Sequence, residues 1–575
     1  FQNDLNWSGG GGFPTGVTFY GIYGAYYFID DLMLWELPAQ PANATLSLCD
    51  GATTTLGAPL PPTPPGLSVT YTWAGPGIGI ISGTTLSQIT VSQPGQYGFS
   101  VRVNGKTYTY APITVTGNAA NVTLTDTVYV GGYTFHAGKT YFIPQNTRFL
   151  DGSYTLEPDS RLLLGAGVSV RLGPDALLDG GKATIGAACG AMWGGILNQA
   201  ASLGVSLYSV EMTQSTQGIV LRHANQPLQL EECRFRDNLI GIEILPTAAT
   251  GQGRISMIGG YIRNCTFSTT GGFLPPYKST KWGQAQINLG NWDVSGWTIS
   301  GNDIGGALAG IYGGARKKYG LSAKPGVGAT ITSNTFRDCP VGGIIGLEEF
   351  AGEVSDNTFV VAEAYPAAIT SFLIDYQIPG ALYNQPVGFY GSLAGATLSG
   401  NRFSSTRTTV SFPSLATSLY GSPTGMWLSV AGYPHPKGIV RNNSFTRLQG
   451  AGIQMLPSDN LVLTGNDFTD CRFYIRVNAT SNITSGNQYS FPVSCNTFTR
   501  TGNARGPSAG IYVVNGANVE FALRDITGAL VSGTAGTPGD IMKNLFVGTG
   551  TGGTFWHIYN EQNNPYPLTY KTFMA

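Results

Sequence analysis

Asn334-Thr335-Phe336, Asn357-Thr358-Phe359, Asn401-Arg402-Phe403, Asn443-Ser444-Phe445, Asn466-Asp467-Phe468 and Asn496-Thr497-Phe498 are one phrase in six copies. A β-prone run with a turn residue precedes each copy, as in Ala329-Thr330-Ile331-Thr332-Ser333 and Leu461-Val462-Leu463-Thr464-Gly465. A second short run opened by Gly follows several of them, as in Gly343-Ile344-Ile345, Gly452-Ile453-Gln454-Met455 and Gly510-Ile511-Tyr512. Alternating apolar runs of this length, punctuated by Gly and Asn, read as strands and turns.

The interval from 334 to 357 is 23 residues, as is that from 443 to 466. That is the period of a stacked repeat rather than of a sandwich. The expected architecture is all-β: a right-handed parallel β-helix, each coil lying about 4.8 Å above the last. The Asn then falls on one corner of successive coils, where its amide can bond the Asn above and below. Traced outward, the slot is filled by Val210, Cys233, Cys265 and Asn302 upstream, and by Val519 and Asn544 downstream. The expected ladder is therefore Cys233, Cys265, Asn302, Asn334, Asn357, Asn401, Asn443, Asn466, Asn496 and Asn544. Longer intervals, 265 to 302, 302 to 334, 357 to 401 and 401 to 443, predict inserted loops over 268–300, 305–328, 360–395 and 405–436.

Composition narrows the function classes. Only 11% of the 575 residues are charged and 81 are Gly, a balance that suits turns and stacked strands. A net charge of −1 with scattered Lys and Arg gives no footprint for nucleic acid. No apolar run is long enough to span a bilayer as a helix. The seven cysteines include no C-x-x-C pair and there is no His cluster, so no zinc site is expected. Cys233 and Cys265 share the ladder slot, and Cys339 and Cys471 share another; parallel side chains are poor disulfide geometry, so these read as buried thiols. The chain starts at Phe1 without an initiator Met, and no cap is evident after Asn544, so a piece of a longer protein is expected.

Ahead of the solenoid the composition changes twice. Ala25-Tyr26-Tyr27-Phe28-Ile29-Asp30-Asp31-Leu32 resembles the last strands of the carbohydrate-binding jelly-roll modules of secreted bacterial proteins, which makes 1–38 the remnant of such a module. The resemblance implies Asp30 and Asp31 as ligands of a structural calcium; no other cofactor is expected. Residues 39–117 carry short alternating strands, the pattern of two sheets packed face to face. Leu48-Cys49-Asp50-Gly51, Tyr71-Thr72-Trp73 and Pro94-Gly95-Gln96-Tyr97 resemble the PKD-like, immunoglobulin-type modules of secreted Bacteroidota proteins, with Trp73 as the core Trp. From 118 to 575 the solenoid is expected. Its opening through Leu177-Leu178-Asp179-Gly180-Gly181 to Trp193-Gly194-Gly195-Ile196 resembles that of long β-helical surface proteins exported by the type IX secretion system.

The enzymatic β-helices supply a contrast. The Asn-Thr-Asp, Asp-Asp, His-Gly and Arg-Ile-Lys phrases of polygalacturonase-like enzymes are missing from the helix, and glycoside hydrolysis needs two carboxylates across a sugar. Glu348, Glu349 and Glu353, with the basic run at Arg316, come nearest to a lyase's calcium cluster and base. They read better as solvated loop charges. Asp237, Asp338 and Asp470 recur four residues after the ladder slot, which points to turn geometry.

The inserted loops are rich in aromatics, and Tyr277, Trp282, Trp292, Trp297, Tyr365, Tyr376, Tyr390 and Trp427 are the candidate ligand-binding residues. Loops that interrupt the stack between ladder slots are expected to rise from a common side. The function expected is structural or adhesive: an extracellular, cell-surface rod that presents these loops to polysaccharide, to other surface proteins, to further copies of itself or to the secretion machinery. The alternative is a polysaccharide lyase or glycoside hydrolase of β-helix type, and a phage-type spike is a third reading.

Overall fold

The computed structural model describes residues 68–75, 88–91, 95–117 and, with gaps, 122–561, together with strands at 46–48, 54–57 and 80–82. Outside it lie 1–45, 223–226, 246–258, 291–293, 314–327, 364–384, 414–421, 429–436, 456–459, 479–488, 515–518, 521–543, 562–575 and shorter pieces. The expected jelly-roll remnant over 1–38, with Asp30 and Asp31, thus lies outside the described residues.

Two units divide the chain near residue 115. In the first, Val69–Ala74, Gly95–Val103, Lys106–Thr109 and Ile113–Gly117 belong to one antiparallel sheet, and Thr54–Gly57, Ile80–Ser82 and Gln88–Val91 form another. Alternation along these strands sends Trp73, Tyr97, Phe99, Val101 and Val115 inward. Trp73 is buried as expected, 4.5 Å from Phe99.

The second unit is a parallel β-helix, and every strand pair described within it is parallel. Each coil lays down three strands. The first follows the ladder residue, as in Thr335–Arg337, and stacks with its equivalents into a sheet of 15 strands. The second strand (Gly342–Phe350) and third strand (Glu353–Ser355) form two further faces. The long strand Val387–Ser399 serves both, joining them into one 27-stranded sheet.

The asparagine ladder exists, but Val519, expected in its slot, does not belong to it: Asn496 bonds Asn544 directly, and Val519 pairs with Tyr489 in a separate two-stranded sheet. Asn334 Nδ2 donates to Asn357 Oδ1 (2.9 Å) and to the Ile299 carbonyl (2.8 Å), while its Oδ1 accepts from Asn302 N (3.0 Å) and Nδ2 (2.8 Å). The pattern repeats through Asn357, Asn401, Asn443, Asn466 and Asn496 to Asn544. From Asn334 to Asn496 both donors and both lone pairs of each amide are used, which is what burial of so polar a group requires. Upstream, Cys265 N donates to Asn302 Oδ1 at 2.8 Å, so the thiol rung takes over where the amides stop. Cys233, Cys265, Cys339 and Cys471 are buried free thiols, and burial pushes Cys339 and Cys471 up to about 12.

The corner that carries the ladder is tight. Two residues separate third from first strand at Lys182-Ala183, Ser209-Val210 and each later turn to Cys495-Asn496. The leading one of the pair is left-handed, as at Ser209, Glu232, Asn264, Ser333, Asp356, Asn442 and Cys495. Gly138, Asp159 and Lys182 repeat this turn upstream, so the stack extends above Val210 through slots filled by Lys139, Ser160 and Ala183. Asp237, Asp338 and Asp470 are left-handed too, which is the turn geometry expected of them.

Inside, Phe336, Phe359, Phe403, Phe445 and Phe468 stack with ring centroids 4.5 to 5.0 Å apart. The Gly that opens the second strand makes room for this column: a Cβ on Gly425 would stand 2.6 Å from Phe445 Cδ1 and 2.6 Å from the Gly452 carbonyl oxygen.

The expected loop boundaries need correcting. Within 268–300 the runs Gly283–Asn288 and Thr298–Ser300 are coil strands, as are Ala307–Tyr312 within 305–328, Val387–Ser399 across the end of 360–395, and Thr424–Leu428 within 405–436. A bare 23-residue count cannot say where in a coil the extra residues enter. The insertions are 269–282, 361–386 and 405–423 between first and second strands, and 245–260, 313–329 and 479–492 between second and third.

Asn401→Ala would leave the buried Asn357 N–H and amide without their acceptor, at about 1–3 kcal/mol for each orphaned group. Ser444→Ala, outside the ladder, is expected to change stability by less than about 0.5 kcal/mol. Gly425→Ala overpacks the Phe column and should cost roughly 1–3 kcal/mol. Urea unfolding of the three variants checks this ordering; equal midpoints for Asn401→Ala and Ser444→Ala would show that the ladder contributes nothing.

Candidate functional site

From the Lys182 turn to the Cys495 turn the ladder corner holds two residues, so between those turns the insertions flanked by described strands enter at one of the two ends of the second strand. The outward face of that strand is therefore a floor bordered by insertions on both sides. Its main outward column follows the register: Leu197, Val220, Glu243, Asn288, Tyr312, Ile345, Tyr390, Trp427, Gln454, Arg476 and Tyr512 on successive coils. Each inward neighbour just before it belongs to the core, as with Ile344 before Ile345 and Ile453 before Gln454.

The floor changes chemistry along its length. At one end Glu243, fully buried, accepts from Gln217 Nε2, and its Oε1 accepts from Asn288 Nδ2 at 3.2 Å. In the middle Tyr312, Ile345, Tyr390 and Trp427 pack with Ala285, Leu308 and Val387. Tyr390 and Trp427 meet edge to face at 5.7 Å. Toward the other end come Gln454, Arg476 and Tyr512, with Phe473 4.4 Å from the Tyr512 ring.

The candidate aromatics separate on these coordinates. Trp282 is half-buried, packs on the central cluster, and has Lys281 Nζ 5.0 Å above its ring. Tyr277 is half-buried against Met192, Leu239 and Phe273. Trp297, Tyr390 and Trp427 are 1%, 2% and 8% exposed, which corrects their expected place on an open aromatic surface. Trp297 belongs to the interior core, because its strand approach turns it inward; the other two lie in the covered floor. Trp292, Tyr365 and Tyr376 lie outside the described residues, as does the run at Arg316. Glu353 is exposed on the third face, away from the floor.

Glu243, Gln454 and Arg476 escaped the sequence reading, although a signal existed. They occupy the position after the inward residue in Gly241-Ile242-Glu243 and Gly452-Ile453-Gln454, and its equivalent in Tyr474-Ile475-Arg476. Once Gly is known to face the Phe column, alternation assigns that position to the outside.

Contacts between coils anchor the insertions. Thr270 N donates to Asp237 Oδ1 at 2.6 Å and Thr501 N to Asp470 Oδ1 at 2.7 Å, so the left-handed Asp of one coil holds the connection of the next. Val410–Ser411 pairs with Ala504–Arg505 further along the stack. Arg407 Nε and Thr406 Oγ1 donate to the two oxygens of Glu363, tying 361–386 to 405–423. Burial raises the Glu363 carboxyl, but the Thr406 and Arg407 contacts outweigh it and leave the pKa lowered. A lowered native pKa stabilises above the unfolded carboxylate range and loses that effect as pH falls through the native value. Arg407→Gln should therefore cost roughly 0.2–1 kcal/mol at pH 7 and nothing once Glu363 is protonated. Urea midpoints measured from pH 7 into the acid range check this; a difference that persists unchanged in acid would refute it.

No family profile and no curated protein matches this sequence. Among solved structures the chain is similar to mutant tailspike proteins of E. coli bacteriophage HK620. One, in complex with a pentasaccharide, shares 12% identity with a TM-score of 0.35 over 74% of each chain. Another, also in complex with a pentasaccharide, shares 13% identity with a TM-score of 0.34 over 73% of this chain and 71% of that one.

Proposed function

We propose that the protein is an extracellular, cell-surface polysaccharide-binding protein, a rod whose ligand contacts lie on the insertions that border the face of second strands. The observation that carries this reading is that, between the Lys182 and Cys495 turns, the insertions flanked by described strands all border one face. Insertions repeated along a stack can meet a linear polymer at several points, and several weak contacts in a row add through effective concentration. Trp282 and Lys281 stand at the edge of the face as an aromatic and a cationic contact. Other surface proteins are the second class of partner.

Binding without cleavage is the reading preferred over a lyase or hydrolase. Hydrolysis needs a free acid and a second carboxylate across the sugar. Glu243, the carboxylate of the floor column, has one oxygen on Gln217 and the other on Asn288, which holds it as a fixed acceptor.

The test is retention and cleavage on a panel of acidic and neutral polysaccharides. Wild type is expected to be retained without generating new chain ends, and Trp282→Ala to weaken retention by about tenfold, the scale of a truncated interface Trp. Release of shortened chains would establish the enzymatic alternative, and no retention by any member of the panel would overturn the proposal.

A further inference from the structure

The insertion 269–282 is built onto the rod at several points. Met192, Gln214 and Asp237 lie in the connections between first and second strands of the three preceding coils, and the insertion bonds to all three. Met192 N donates to the Pro275 carbonyl at 2.9 Å. Gln214 Nε2 donates to the Gly272 carbonyl (2.8 Å), and its Oε1 accepts from Leu274 N (3.0 Å). Asp237 accepts from Thr270 N on one oxygen (2.6 Å) and from Thr270 Oγ1 on the other (2.9 Å). Phe273, 2% exposed, packs beneath the insertion against Met192 and Leu239. A segment fixed in this way presents its exposed side chains at constant positions, which lowers the ordering cost of binding.

Those side chains are cationic and open to solvent. Lys278, Ser279 and Lys281 are exposed. Two successive turns carry them, closed by Tyr277 N donating to the Leu274 carbonyl (3.1 Å) and Thr280 N to the Tyr277 carbonyl (2.8 Å). Lys281 Nζ rests over the Trp282 ring, which packs on the central cluster. The insertion contains no Asp or Glu. Carboxylates on the adjoining coils are engaged elsewhere: Asp237 by Thr270, Glu211 by Arg236, Asp303 by Arg337, and Glu243 by Gln217 and Asn288. Among the described residues neither lysine forms an ion pair. Two ammonium groups held in solvent without a counter-charge suit the acidic groups of a polymer.

We propose that this insertion is the contact for an acidic polysaccharide, with Lys278 and Lys281 each meeting a carboxylate or sulfate of the sugar chain. The inference rests on the polysaccharide-binding reading and narrows it to anionic glycans. Carboxylate and sulfate share the chemistry that the lysines recognise, and the test separates them.

The full chain is titrated with polygalacturonate, dextran sulfate and dextran, at low and at raised salt. Wild type is expected to bind at least one of the two acidic polymers about tenfold or more tighter than dextran, with the preference shrinking as salt rises. Which acidic polymer binds identifies the group recognised. The double variant Lys278→Gln/Lys281→Gln should lose the preference, and Lys278→Arg/Lys281→Arg should keep most of it. The double variant Lys139→Gln/Lys437→Gln removes the same charge from exposed positions at the ladder corner and at the start of a third strand, and should bind as wild type does. Unchanged urea midpoints would show that the variants are folded. Equal affinity for dextran and the acidic polymers, or equal losses from the two Lys→Gln pairs, overturns this inference alone. Failure to bind any of the three polymers or any member of the wider panel overturns it together with the reading beneath it.

Discussion

The rest of the structure depends on one buried row of side-chain amides. Each ladder Asn from Asn334 to Asn496 gives two protons and receives two, and its partners are the equivalent Asn and the backbone of adjoining coils. A slip of one residue in any coil would leave several buried polar groups without partners, so the row fixes the register of the whole stack. It also fixes where the chain cannot vary. The two-residue turn that delivers the Asn has a left-handed residue followed by the amide, and a longer turn would lift the amide out of the row.

That prohibition explains the distribution of insertions. A solenoid coil has three corners at which residues can be added, and solvated loops tolerate added length well. Between the Lys182 and Cys495 turns one corner is closed by the ladder, the other two are left, and both border the second strand. The variable parts of this chain are therefore gathered around a single face by the same hydrogen bonds that hold the coils in register. The Phe column reinforces the arrangement from inside, since Gly343, Gly388, Gly425 and Gly452 each give up a side chain to let the next ring stack.

Much of this was legible in the sequence because Asn and Phe are large, specific and placed at a constant phase. The stack, its ladder and the buried thiols follow from that phrase. The upstream coils were harder to read because Lys139, Ser160 and Ala183 fill the slot and only the left-handed turn before them keeps the phase. Insertion boundaries were misplaced for a different reason: a second strand such as Thr424–Leu428 has no fixed distance from the preceding Phe once a loop intervenes. The aromatics misled because a ring in a long interval can belong to a coil strand as easily as to a loop. Trp297, Tyr390 and Trp427 all do, or lie directly against one. Glu243, Gln454 and Arg476 carry no signature of their own, and become visible when alternation is counted from Gly or from the inward Ile.

Alternation also separates the core from the outer face. In the second strand the inward residue serves the core and the next one faces out, so chemistry on the floor can change from Glu243 through Tyr390 to Arg476 while Ile242, Phe389 and Ile475 stay apolar. A compact domain seldom has this freedom, because its functional side chains are usually braced by the core they interrupt. Here each rung places one residue outside the core, and neighbouring rungs are spaced by the backbone hydrogen bonds of the sheet rather than by the side chains themselves.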